Sequence, residues 1–232
     1  NLTLPLPLWL DPAAERVAGR RLASLVGVAP RVGLENSVFY FSLGSAVDEA
    51  SLLARLLRGP GRCLLLDVHN LYTMAQNLGY DPAAYLDQLD LRQVVEIHLS
   101  GGADSDGAWL RSGRVLRLDS HDDAVPEPVW ALFEAVLPRC TNLRAVTLER
   151  MEGTVQPADV PLLAEELRRA RALLGRPQAR RRRRPTAQPA PSTSPSPSSA
   201  SPAAWARYEA LLVRLMTAAD PVAALADAQR DR

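Results

Sequence analysis

The chain has 232 residues, 47% of them hydrophobic, and a formal net charge of +1. That is enough apolar material for one medium domain with an appendage, with no overall electrostatic pull towards nucleic acid or acidic substrates. No stretch approaches the roughly 18–20 consecutive apolar residues of a membrane span, and no basic-then-apolar signal opens the chain.

Asp11 followed by Pro12 predicts a helix start, with Ala14, Ala18, Leu22 and Leu25 on one face. Residues 31–35 read as a short strand and 47–58 as a helix ended by Gly59 and Pro60. A strand follows at 62–67, running into LLLDVHN at 64–70, then a helical stretch around 82–88 begun by Asp81-Pro82. Further strands are expected at 94–99, 115–121 and 143–149, with a helix at 127–137 burying Val129, Leu132, Phe133 and Val136, and a final amphipathic helix at 159–174. Nearly continuous apolar strands alternating with helices predict an α/β fold with a parallel sheet. Five strands are too few to close an eight-stranded barrel.

From about residue 176 the composition changes to an arginine run, Arg180–Arg184, and then a Pro/Ser/Thr-rich stretch to 202. Such a segment buries too little apolar surface to offset its ordering entropy and is expected to be a disordered linker. The arginine run reads as a solvated tail rather than a nucleic-acid site. Residues 203–232, with an amphipathic pattern at 205–216, read as the start of a second, helical module. All 27 basic residues are arginine, and Cys63 and Cys140 have no CxxC spacing. This argues against a disulfide framework or a thiolate metal site and suits a reducing cytoplasm. The first residue is Asn rather than Met, which suggests that residue 1 is not the natural start.

The strand ends share one chemistry. They carry Glu35-Asn36, Asp67 with His69 and Asn70, His98, Asp119 with His121, and Glu149, a set that includes all three histidines. Strand alternation puts Asp67 and His69 on one face, and Asp119 and His121 on another. Residues at the carboxyl ends of parallel strands converge on one crevice. Crowded carboxylates there must take up protons or cations. Imidazole mixed with carboxylate and no thiolate suits iron, manganese or zinc, so the residues point to a polynuclear metal site. Singly, each has a plainer reading: a hydrogen-bonded histidine, a Glu149–Arg150 ion pair, a capping turn at DSHDD. Five in succession favour the shared site. Asn36 and Asn70 either support the carboxylates or bind metal, and both types also form turns. Gly101-Gly102 reads as a flexible loop, Trp130 as core, and Asp122 and Asp123 as solvent-facing.

LEN at 34–36, LLLDVHNLY at 64–72, EIHLSGG at 96–102, LDSHDDAVPEPVW at 118–130 and TLER at 147–150, in that order, resemble a known family. It is the multinuclear non-heme iron-dependent oxidative enzymes, catalogued as domain of unknown function 692, the methanobactin-type peptide-modifying oxygenases. NLTLPLPL at 1–8 resembles the loop after the third barrel strand, and the match covers about residues 1–174. The resemblance implies a TIM-type (β/α)8 barrel, with about strands four to eight carried by residues 1–175. It implies two or three irons (Fe2+/Fe3+), dioxygen as co-substrate, and oxidation of residues, often cysteines, in a ribosomally made precursor peptide presented by a small partner protein. It further implies Glu35, Asp67, His98, Asp119, His121 and Glu149 as metal ligands, with Glu35 able to bridge two irons. His69, Asn70 and Asn36 are further ligands or their supports. The family's other histidine ligands precede the LPLP loop. This part of the barrel is therefore expected to expose two long edges and hold less than a full cluster. Two other readings stand beside it. One is a different divalent-metal barrel enzyme, although an isomerase would usually bring lysines and an endonuclease a basic face. The other is a non-catalytic remnant that binds a partner through the linker and terminal helix.

Overall fold

The computed structural model describes residues 12–26, 28–40 and 46–176, and residues 14–176 belong to one compact unit. NLTLPLPL, Asp11, the arginine run, the linker and the helix expected at 205–216 lie outside the described residues. Four strands, Val32–Glu35 (β1), Arg62–Asp67 (β2), Val94–Leu99 (β3) and Ala145–Leu148 (β4), form one parallel sheet in the order β1-β2-β3-β4. The helices are Pro12–Val26 (α1), Ala46–Leu56 (α2), Val68–Leu78 (α3), Pro82–Leu86 (α4), Glu127–Val136 (α5) and Val160–Leu174 (α6).

Each strand pairs with the next in sequence, and right-handed crossovers between such neighbours put the intervening helices on one face. The strands show this in their alternation. Leu64, Leu66, Ile97 and Leu99 are fully buried, in one cluster with Val68, Leu71, Tyr85, Val129 and Phe133. The alternate residues Glu35, Leu65, Glu96, His98 and Thr147 remain at least partly open. A parallel sheet wound in one direction with a polar second face is compatible with part of a TIM-type barrel wall.

Three expectations need correction. The strand at 115–121 does not form, so the sheet has four strands rather than five. Gly101 and Gly102 permit a different path. A Cβ on Gly101 would meet the Ala124 carbonyl, and one on Gly102 the Leu118 carbonyl. The 118–124 segment therefore crosses the end of β3 at backbone contact instead of lying beside a strand. The preceding residues pair only through an antiparallel bridge between Asp104 and Arg117, where Ser105 N–H donates to Leu116 O (2.7 Å) and Leu118 N–H to Ala103 O (2.9 Å). The glycine pair serves close approach, not flexibility. Secondly, β2 ends at Asp67 as expected, but a helix not among the expected elements, α3, begins at Val68, so Asp67 and His69 do not share a strand face. Thirdly, Leu25 of α1 is 50% exposed, and only Ala18 and Leu22 of its expected face join the cluster with Leu52 and Leu56. Cys63 and Cys140 are buried and free, Trp130 is core, and Asp122 and Asp123 are exposed.

Candidate metal centre

The junction between β2 and α3 has no loop residue, and Asp67 serves both elements. Its backbone is extended, and its Oδ1 accepts the Asn70 N–H at 2.7 Å as the helix N-cap. At the other end, Gly79 closes α3 in the left-handed conformation (φ 71°) that glycine adopts without a Cβ penalty. The second oxygen, Asp67 Oδ2, is buried with no hydrogen-bond partner. Burial pushes the Asp67 carboxyl up to about 8; the Asn70 N–H opposes this, and the charges of Asp119, Glu35 and Glu149 reinforce it.

Asn36 fixes Asp67 from the neighbouring strand end. Its Nδ2 donates to Asp67 O (2.8 Å), its Oδ1 accepts Asp67 N–H (2.9 Å), and its own carbonyl accepts Asn70 Nδ2 (3.1 Å). With its amide oxygen taken, Asn36 is a support, whereas Asn70 Oδ1 is buried without a partner. Asn36→Ala strands two buried backbone groups. It is expected to lower stability by about 2–4 kcal/mol in urea denaturation.

The other strand-end residues gather around this point. Across the sheet, Asp67 is in register with His98. His98 Nδ1 lies 3.0 Å from Glu149 Oε1 and 3.8 Å from Glu35 Oε1, but without hydrogen-bond alignment, which leaves this buried nitrogen unpaired. Asp119 Oδ1 lies 2.7 Å from His121 Nε2 and 3.2 Å from the fully buried His69 Nδ1. Burial acts to raise the Asp119 pKa, but hydrogen bonds from His121 and His69, with their charge, outweigh it and hold the carboxyl well below the usual range. The same hydrogen bond to Asp119 raises the His121 pKa. Glu149 Oε2 is 3.6 Å from His121 Nδ1, so the two oxygens of Glu149 face two different histidines. Glu35 is raised, first by burial.

His121 has φ 53°, the only positive φ of a non-glycine residue among those described. That conformation is uncommon for a residue with a Cβ and is held by its surroundings. Its carbonyl accepts Met151 N–H (2.9 Å) and its ring is pinned by Asp119.

Three groups of possible ligand atoms result, each with all atoms within 4.8 Å of one another: Glu35–Asp67–His98, Asp67–His121–Glu149 and His69–Asp119–His121. Asp67 and His121 are shared, which joins the groups into one continuous centre. Nitrogen and oxygen donors, a surplus of carboxylates, and three unpaired buried atoms (Asp67 Oδ2, Asn70 Oδ1, His98 Nδ1) fit a divalent cation, which would neutralise the charge and satisfy the donors.

Three supporting residues are not strand-end residues and stand outside the expected set. Glu96 Oε1 faces His98 Nε2 at 3.3 Å and accepts the Thr147 hydroxyl at 2.7 Å. Its place two residues before His98 on one strand is the available signal. Thr73, one helical turn after His69, approaches His69 Nε2 at 3.4 Å. Tyr40 Oη accepts Asp119 N–H at 3.1 Å, a contact that no spacing announces.

With this geometry in place, similarity to known proteins is informative. Residues 4–175 match the family described as RiPP precursor modification enzyme MbnB/TglH/ChrH. A UPF0276 protein of Caulobacter vibrioides is 36% identical over 174 residues, covering 75% of this chain and 58% of that protein. A UPF0276 protein of Bordetella parapertussis is 44% identical over 170 residues, 72% of this chain and 57% of its own length. One from Rhizorhabdus wittichii is 33% identical over 162 residues, 70% and 52% respectively. The chain thus spans somewhat over half the length of these relatives. It belongs to the MbnB/TglH/ChrH family, domain of unknown function 692, whose enzymes modify the precursors of ribosomally made peptides.

Proposed function

We propose that the centre takes two or three iron ions and uses dioxygen to oxidise residues, cysteine foremost, in a precursor peptide presented by a small partner protein in the cytoplasm. The observation that carries this reading is the overlap of the three ligand groups at Asp67 and His121, with a buried Asp67 oxygen left unpaired. Glu35, Asp67, His98, Asp119, His121 and Glu149 would hold the metal, with His69 completing the limb around Asp119. When bound, iron supplies the activation of dioxygen and the one-electron steps that the side chains lack.

The chain's own residues prepare the site for that role. Glu96 can hold a proton on His98 Nε2, which leaves Nδ1 as the nitrogen with a free lone pair. Asn36 and the α3 cap occupy Asp67's backbone and Oδ1, which leaves Oδ2 as the oxygen that could hold a cation. Glu149 spans His98 and His121 with separate oxygens, an arrangement suited to a carboxylate shared between two ions. Glu35, 44% exposed, stands at the open side, while His69 is fully sealed from solvent. A peptide would therefore approach over the open side formed by Glu35, Glu149, His121 and Asp119.

The test is anaerobic loading of the full chain with Fe(II), followed by metal analysis and Mössbauer spectroscopy. At least one tightly bound iron per chain, with coupled iron pairs in the loaded fraction, is the expected result. Exclusive loading of zinc or manganese, or no stoichiometric metal, would sink the iron reading. Exposure of the loaded protein to air with a short cysteine peptide encoded beside its gene should then change the peptide's mass.

A further inference from the structure

The helix that carries His69 in its first turn lines a separate cavity further along. Tyr72, Gln76 and Asn77 of α3, with Asp104, Val115 and Arg117, line a half-open pocket of about 260 Å³. Two of its lining residues adjoin the metal centre: the Tyr72 ring lies 6.5 Å from the His69 ring, and Arg117 is two residues before Asp119. Asn77 builds the far wall. Its Oδ1 accepts Arg117 N–H and its Nδ2 donates to Arg117 O, both at 2.8 Å, and its carbonyl accepts the Arg114 guanidinium.

Arg117 is held by its backbone, yet its charge is poorly matched. The side chain is 17% exposed and its Nε is buried without an acceptor. Among the described residues its single carboxylate contact is a long one, Nη1 to Asp104 Oδ1 at 3.4 Å, and Asp104 is 64% exposed. The guanidinium lies 5.9 Å from the centroid of the Tyr72 ring, at the outer range of a cation–π contact. A guanidinium is best satisfied by a planar two-point acceptor. A carboxylate entering the pocket would take over the Nη1 contact that Asp104 makes at long range.

We propose that this cavity is a subsite for a carboxylate of the precursor peptide, with Arg117 as the specificity-determining residue and Asn77 positioning it. The inference rests on the functional reading above for the identity of the substrate as a peptide. A carboxylate seated here would fix the peptide beside the His69–Asp119 limb of the centre.

The test uses the full 232-residue chain without metal, and three probes: acetyl-Ala-Asp-Gly-Cys-Ala-amide, its Asn counterpart, and the Asn counterpart with a free terminal acid. Affinities are read by isothermal titration. The Asp peptide is expected to bind about tenfold more tightly than the Asn amide, the scale of one charge-assisted contact. Arg117→Gln should erase that preference, whereas Arg168→Gln, on exposed α6 surface, should keep it. An Arg117-dependent gain by the free-acid peptide instead would assign the subsite to a terminal carboxylate. Equal binding of all three peptides, or discrimination that survives Arg117→Gln, would overturn the proposal. A labelling experiment on the unaltered protein guards against a variant that fails to fold. The Asp peptide should slow phenylglyoxal modification of Arg117 but not of Arg168, and no protection at Arg117 would also overturn it. Discrimination in a chain that never loads iron would leave the subsite standing and remove the iron reading; iron loading without discrimination would do the reverse.

Discussion

Asp67→Asn is expected to stabilise the metal-free protein at pH 8 and to weaken the metal-loaded one. Asparagine keeps the cap on α3, since both side chains accept the same N–H. What it removes is a carboxyl that burial pushes up to about 8, against an ordinary value of about 4 in the unfolded chain. The folded value is the higher one. The group's contribution is therefore complete below about pH 4 and is lost as pH rises through 8. Across that window the metal-free wild type should lose about 3–5 kcal/mol from Asp67 alone. Glu49 contributes to the same fall: burial pushes it to about 7, despite hydrogen bonds from Tyr85 and Ser37, and it remains in the variant. The variant's slope should thus be shallower, not flat. A divalent cation reverses the order at pH 8, because it takes the place of the proton on Asp67. Calorimetric melting at pH 5 and 8, with and without anaerobic Fe(II), checks all four cases. Matching curves for the two proteins would mean that Oδ2 holds neither proton nor metal.

Gly101→Ala is the second large effect. The added methyl would meet the carbonyl carbon and oxygen of Ala124 and the carbonyl of Asp123, all backbone atoms that no rotamer change can move aside. Either β3 or the 118–124 segment must shift, and that segment carries Asp119 and His121. A cost of about 3 kcal/mol or more is expected, with loss of the His121-containing ligand groups. Gly79→Ala provides the contrast. Gly79 has φ +71°, and a methyl added there would have no neighbour within 4 Å. Only local strain of about 1 kcal/mol should appear, with metal loading intact. Urea denaturation and metal titration of both variants make the comparison. Equal costs would show that the crossing at Gly101 is loose.

The sheet was legible because its strands are short apolar runs whose alternate residues choose a face, as in Leu64 and Leu66 of β2 and Ile97 and Leu99 of β3. The helix α3 was hidden because His69 and Asn70 read as the polar end of the strand that those leucines begin. Its own signals were present: a capping aspartate, apolar Val68, Leu71, Ala75 and Leu78 at helical spacing, and Gly79. At 115–121 the alternation of Val115, Leu116, Arg117 and Leu118 looks like a strand, and tertiary packing against two glycines overrides it. The residue types of the site were legible at the strand ends. Asn36 was a candidate by type, but its grip on the Asp67 backbone, 31 positions away, was not legible, nor was Tyr40, which acts on a backbone 79 positions away. Nor does any sequence pattern reveal which carboxylate oxygen is left unpaired.

The absence of any residue between β2 and α3 makes this junction a ruler. A helix turns by about 100° per residue, so one residue inserted after Asp67 would swing His69 about a quarter turn away from Asp119. One residue deleted would swing it the other way. Elsewhere a loop can lengthen or shrink and leave its neighbours in place. Here the interval from Asp67 to His69 is itself part of the chemistry, and a change of length there is as disruptive as a change of side chain.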